Sequence, residues 1–207
     1  MRLLVFGATG GTGRALLDQA LAEGHPVTAF VRNPTVLEPR TGLTYFKGDV
    51  TDAEAVRRVA AGHEAVLSAL GPRGGEYGVL PDGVRNIVAA MDEAGIRRLI
   101  HVSSFGVGDS LAQMGWVARQ VFVPLFLRKA LEEKEIEEQI IRASDRDWII
   151  ARPGGLVDGP RTGVYRCIID PQEKISQPRI ARADVADFML KNLTDEQFVR
   201  RAVGLTY

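Results

Sequence analysis

Apolar runs of about five to seven residues alternate along the chain with stretches whose apolar positions recur at helical spacing. That alternation predicts βαβ units around a parallel sheet. "RLLVFG" at 2–7 reads as the first strand, and over 13–23 Leu16, Leu17, Ala20 and Leu21 repeat with helical period before Gly24 ends the helix. Strands follow at 27–32 and 44–50, then a short helix over 53–61 started by Asp52, and a fourth strand at 65–71. Val84, Ile87, Val88 and Met91 form one face of a helix that begins near Pro81 and closes at Gly95. A fifth strand with its exit loop covers 98–106, a charged helix 129–143, and "WIIARPGG" a sixth strand with its loop.

The last fifty or so residues are less regular: "GVYRCIID" is strand-like, "ADVADFMLKNL" helical and "AVGLTY" a short final strand, together a small C-terminal cap or edge rather than a second core. The predicted fold class is α/β, a doubly wound parallel sheet of Rossmann type. At 207 residues the chain is expected to form a single domain over 1–207.

Composition narrows the partners. The chain has 26 basic and 26 acidic side chains, so no overall field recruits nucleic acid or an anionic membrane. The single cysteine, Cys167, cannot form an internal disulfide and reads as a packed strand residue; with no signal-like N-terminal run, a cytoplasmic location is expected. The most apolar later stretch, "VFVPLFL", is far short of the roughly 20 residues that span a bilayer. His25, His63 and His101 lie far apart, and no metal site is expected.

The candidate chemistry begins at the first turn. Gly7, Gly10 and Gly13 give GxxGxxG where a strand feeds a helix, so the chain turns tightly and the helix amides point into the crevice. A dinucleotide pyrophosphate fits such a turn. The residue ending the second strand meets the adenosine ribose, where an acid would accept from a 2′-hydroxyl and a cation would pair with a 2′-phosphate. "VRNP" places Arg32 there with no acid beside it, which favours NADP(H), against the plainer reading of a solvated arginine at a strand end. Ligands bind beyond the carboxyl ends of an open α/β sheet. Asp49 and Val50 are therefore expected near the adenine, Ser68, Ala69, Leu70 and Gly71 near ribose and pyrophosphate, and Ser103 and Ser104 on the nicotinamide side.

"GATGGTG", "VRNP", "GDV", "GVRNIVAAM", "HVSS" and "ARPGGLVDGP" occur in the order seen in atypical short-chain dehydrogenases. Over nearly its whole length the chain resembles their NmrA-like, NAD(P)H-binding group, and within it the NADPH-dependent flavin reductases also called biliverdin reductase B. The resemblance implies a single NAD(P)-binding domain and NADPH-dependent reduction of flavins or similar conjugated acceptors. Matched by position, Gly7, Thr9, Gly10, Gly11, Thr12 and Gly13 fall on the phosphate loop and Arg32 on the 2′-phosphate site. Ser104 falls on the active-site serine, and Pro153, Gly154 and Gly155 on the loop lining the nicotinamide pocket.

One departure from the family pattern matters. Typical members carry Tyr and Lys one helical turn apart, and here Lys134 takes the lysine position while the tyrosine position falls on Ala130. That tyrosine supplies a proton transfer worth about 10² to 10⁴ in rate for alcohol–carbonyl chemistry. Without it a conjugated acceptor, which spreads charge over its own π system, is the better fit; the flavin reductases of the group lack the tyrosine too. Lys134 reads either as a ribose contact or as a surface lysine paired with Glu138 at i,i+4.

Between 105 and 128 large apolar side chains cluster, and Trp116 and Phe122 are candidates for an apolar wall against a planar acceptor; core packing or a dimer contact explains them equally. The expected partner is thus a small planar substrate, with the protein a monomer or homodimer. A competing reading is a sensor that binds NADP(H) and signals without turnover. A nucleotide-sugar isomerase or dehydratase ranks last, because it would want the Tyr and Lys pair.

Overall fold

The structure is a computed structural model that describes residues 1–72, 78–116, 120, 127–175 and 178–207. The first half alternates strand and helix: β1 (Leu3–Phe6), α1 (Gly11–Ala22), β2 (Val27–Val31), β3 (Leu43–Lys47), α2 (Ala53–Ala60), β4 (Ala65–Ser68) and α3 (Leu80–Ala94). It continues through β5 (Arg98–Val102), α4 (Arg128–Arg142), β6 (Asp147–Pro153), β7 (Gly155–Val157), β8 (Arg166–Ile168), β9 (Arg179–Ala181), α5 (Arg182–Lys191) and β10 (Arg201–Thr206).

Local chemistry sets several boundaries where the sequence predicted them. Asp52 starts α2 by accepting from the Glu54 and Ala55 amides, and Gly95 closes α3 at φ 69°. Short 3₁₀ segments at Pro34–Val36 and Gly108–Gln113 were not predicted, nor were the three-residue β7 and β9. Segments that short carry no readable period.

Among the described residues the strands form an eight-stranded sheet in the order β3-β2-β1-β4-β5-β6-β10-β8, parallel except for β8, with β7 and β9 pairing separately. The predicted doubly wound α/β sheet is therefore present. The C-terminal residues extend it as an edge, β10 beside β6 and β8 outermost. Cys167 is exposed on β8, not packed as expected, because this strand stands at the rim.

Strand alternation divides the core into two layers. Leu3, Val5, Ile100 and Ile149 face α1 and α5, with Leu16, Leu17, Val185 and Phe188. Leu4, Phe6, Leu99 and Ile150 face α2, α3 and α4, with Val56, Ile87, Met91 and Ile141. The strand order reverses between β1 and β4, and crevices that bind ligands open at such a switch point. No helix among the described residues is long and apolar enough to cross a membrane.

Candidate functional site

A cleft of about 1080 Å³ opens at that reversal, beyond the carboxyl ends of β1, β2, β4 and β5. It is at the upper end of the roughly 300–1,000 Å³ usual for small-molecule sites. Its floor is the β1–α1 turn. Gly7 sits at φ 76°, and a Cβ there would fall 2.3 Å from the Ala69 carbonyl oxygen, so the two strand ends touch through bare backbone. Gly10 precedes α1 in extended conformation; no side chain caps the helix and no acid occupies its first turn. The orphan amides and positive end of α1 are therefore left to an anion.

Gly7, Thr9, Gly10, Gly11 and Thr12 all line the cleft, as do Arg32, Asp49, Val50, Ala69, Leu70 and Gly71. Arg32 is exposed at the end of β2. Asp49 Oδ1 accepts from the Thr51 amide at 3.0 Å and its hydroxyl at 2.7 Å, and these bonds hold the carboxyl below its usual range. A dinucleotide fits what is present: a bare glycine cradle at an uncapped helix start, and a cation where a 2′-phosphate would lie.

Several expected residues lie elsewhere. Gly13 does not line the cleft; a Cβ there would meet the Gly7 oxygen at 2.1 Å, so it serves the closeness of helix to turn. Ser68 is buried, with its hydroxyl 3.1 Å from His101 Nδ1. Pro153 and Gly154 are buried where β6 leaves the sheet; Gly154 donates to the Leu205 carbonyl and closely approaches Pro178, and Gly155 begins β7. Leu156, one residue on, takes the lining role instead. Trp116 is 68 % exposed and outside the cleft, because the chain preceding it is tied away through Gln113 to Asp170 and Ile175. Phe122 lies outside the described residues. Among the described residues the apolar lining includes Val79, Leu80, Leu127, Leu131 and Leu156, of which only Leu127 falls in the apolar segment that the sequence reading singled out.

At the other end, Ser103 and Ser104 leave β5 and both line the cleft. Ser103 donates to Glu138 Oε1 at 2.7 Å, so its hydroxyl is committed. Ser104 is half-buried and donates at 3.2 Å to the Phe105 carbonyl, a long bond that a ligand could replace. Ala130 lines the cleft beside Lys134.

Lys134 is not a surface lysine. It is 6 % exposed, and its Nζ donates to the Leu70 carbonyl at 2.8 Å, the Val102 carbonyl at 3.1 Å and Glu137 Oε2 at 3.0 Å. An ammonium has three donors, and all three are taken. Glu138, its expected partner, instead receives Arg152 at 2.8 and 2.7 Å.

These contacts belong to a buried charged layer under the cleft. The Leu131, Lys134, Glu137, Glu138 and Ile141 face of α4 packs on the strand ends, while Ile136 is 42 % exposed. Burial pushes the Glu137 carboxyl up, but the Lys134 charge and the His101 contact outweigh it and hold the group low. His101 Nε2 lies 3.1 Å from Glu137 Oε2, and burial with the nearby Lys134 charge pushes the imidazole pKa down. Arg152 also pairs with Asp109.

Comparison with known proteins agrees with this geometry. Residues 7–196 match the NAD(P)H-binding family, and the chain belongs to it. ChuY of Escherichia coli O157:H7, described as an anaerobillin reductase, is 29 % identical with a TM-score of 0.83 over 100 % of this chain and 97 % of that one. ChuY from E. coli strain CFT073 is 32 % identical, TM-score 0.81, with the same coverage. An uncharacterized chloroplastic protein of Arabidopsis thaliana is 29 % identical over 95 % of this chain and 73 % of its own length. The chain is an NAD(P)H-dependent oxidoreductase of Rossmann type.

Proposed function

We propose that this member of the NAD(P)H-binding family transfers hydride from NADPH to a planar conjugated acceptor: a flavin, a quinone or a linear tetrapyrrole. The carrying observation is the pair on α4. Ala130 occupies the cleft wall where a tyrosine acid would stand, and Lys134, one turn on, has no donor left for a substrate. A wall with neither proton donor suits an acceptor that delocalises the incoming charge and takes its proton from solvent.

NADPH supplies the hydride when bound. The amides opening α1 hold the pyrophosphate and Arg32 the 2′-phosphate, with Asp49 and Val50 beside the adenine. Ala69, Leu70 and Gly71 follow the chain toward the nicotinamide, where Ser104 hydrogen-bonds the ring amide or the acceptor. Lys134 is a positioning residue that ties the ends of β4 and β5 to α4. Likeness to ChuY, described as an anaerobillin reductase, favours the linear tetrapyrrole among these acceptors.

The test is NADPH oxidation followed at the nicotinamide absorbance with FMN, riboflavin, a quinone and biliverdin, comparing wild type with Ser104→Ala. Turnover of at least one acceptor is expected, reduced about tenfold by Ser104→Ala, the value of one hydrogen bond. Tight NADPH binding with no acceptor reduced would overturn the reading and leave a redox sensor.

A further inference from the structure

We propose that Arg182 is an ion-pair latch for the cofactor's pyrophosphate, held by Asp158 until the cofactor displaces it; this rests on the NADPH reading of the cleft. Arg182 is the first residue of α5, distant in sequence from the glycine turn, yet it lines the same cleft. Its stem lies directly on the phosphate loop: a Cβ at Gly11 would meet Arg182 Cδ at 2.6 Å and Nε at 2.8 Å. Gly11 is thus bare partly to admit this arginine, and the guanidinium is carried to the start of α1, where the orphan amides face an anion.

The guanidinium reaches its partner with Nη1 2.7 Å from Asp158 Oδ1. Asp158 follows β7 directly, its side chain is 94 % exposed, and neighbouring Leu156 lines the cleft. The bridge therefore links α5 and the glycine turn to β7 beside the opening. An ion pair this exposed on one side contributes little and is easily exchanged. A pyrophosphate carries more charge than one carboxylate and offers the paired oxygens that a guanidinium fork binds best. The packed stem spares much of the ordering cost of that exchange. Asp158 competes for the same guanidinium and repels the incoming anion, so it weakens binding as Arg182 strengthens it.

The discriminating measurement is the Kd of NADPH and of NADH, by nicotinamide fluorescence titration, for wild type, Arg182→Ala, Asp158→Asn and the double variant, with Arg32→Ala as reference. Both ligands share the pyrophosphate, whereas NADPH alone has the 2′-phosphate. Arg182→Ala is expected to weaken both by about tenfold, and Arg32→Ala to weaken NADPH only. Asp158→Asn, at an exposed position that leaves the fold intact, should tighten both severalfold, and that gain should shrink at least threefold when Arg182 is absent. Unchanged affinities in Arg182→Ala, a loss confined to NADPH, or weaker binding in Asp158→Asn would each overturn the latch while leaving the cofactor assignment standing. Failure of the wild type to bind either nucleotide would overturn both.

Discussion

Glu138→Gln removes one negative charge from the buried layer and almost no volume. Glu138 is 2 % exposed and accepts from Ser103 at 2.7 Å and from Arg152 at 2.8 and 2.7 Å, with Arg142 at 3.3 Å. Loss of its charge leaves the 4 % exposed Arg152 with Asp109 as its one anionic partner among the described residues, and that side chain is 63 % exposed. Breaking a buried ion pair from one side costs about 3–5 kcal/mol. The lower end applies, since Gln retains one acceptor oxygen and Asp109 remains, so a loss of about 3 kcal/mol is expected. With a urea slope of about 2 kcal/mol/M, the midpoint should fall by about 1.5 M at unchanged slope. The pH dependence has a definite sign. Burial raises the Glu138 pKa, but the bonds and charge of Arg152, the Ser103 hydroxyl and Arg142 lower it further, so the folded value is depressed. Its contribution is complete above the unfolded value near 4.3 and fades as pH falls through the lower folded value. The gap between wild type and variant should stay constant from pH 8 to 6 and close only in acid. A loss below about 1 kcal/mol, or a gap that widens on acidification, would refute this account of the layer.

Gly13→Ala should leave no stably folded protein, or one weakened by about 3 kcal/mol or more, because its methyl meets backbone at 2.1 Å with no side chain able to yield. Gly10→Ala, whose nearest atom is 3.4 Å away, should melt within a few degrees of wild type, and paired thermal unfolding curves check the contrast. Lys134→Met strands the fully buried Glu137 without its cation, at a cost of about 3–5 kcal/mol near neutrality. Burial then raises the Glu137 carboxyl unopposed by Lys134, so this variant should lose stability as pH rises through that raised value, opposite to wild type; urea unfolding at pH 5 and 8 reads the reversal.

The sheet and the glycine turn were legible because both depend on local signals: runs of apolar residues, a cap at Asp52, a glycine stop at Gly95 and the GxxGxxG spacing. The α4 face was not. Charged residues on a helix ordinarily mark its solvent side, but here Lys134, Glu137 and Glu138 are the buried ones and Ile136 is exposed. A signal did exist in the strands. Strand alternation carries Val66 to Ser68, Leu99 to His101 and Ile150 to Arg152, so each strand has a polar residue last or next to last on its α4-facing side. Three polar residues near one end of three neighbouring strands, Ser68 opposite His101 and Arg152 two residues further on, predict a polar face on whatever covers them. Arg182 left no comparable trace, since its approach to Gly11 is a tertiary contact across most of the chain.

That ending also explains why the layer lies where it does. Apolar packing fixes the middle of β4, β5 and β6, but residues at and just beyond the strand ends, Leu70, Val102, Ser103 and Ser104, help to shape the cleft. Hydrophobic contacts are non-directional, and they hold a loop backbone less well than hydrogen bonds do. Lys134 grips the Leu70 and Val102 carbonyls, and Glu138 grips Ser103, from one rigid helix. The lysine that would orient a ribose in a tyrosine-bearing relative is here spent on the backbone, so the wall keeps its shape while offering no acid. On the hydride transfer proposed above, such a wall would select its acceptor by flatness and conjugation more than by a proton to be donated.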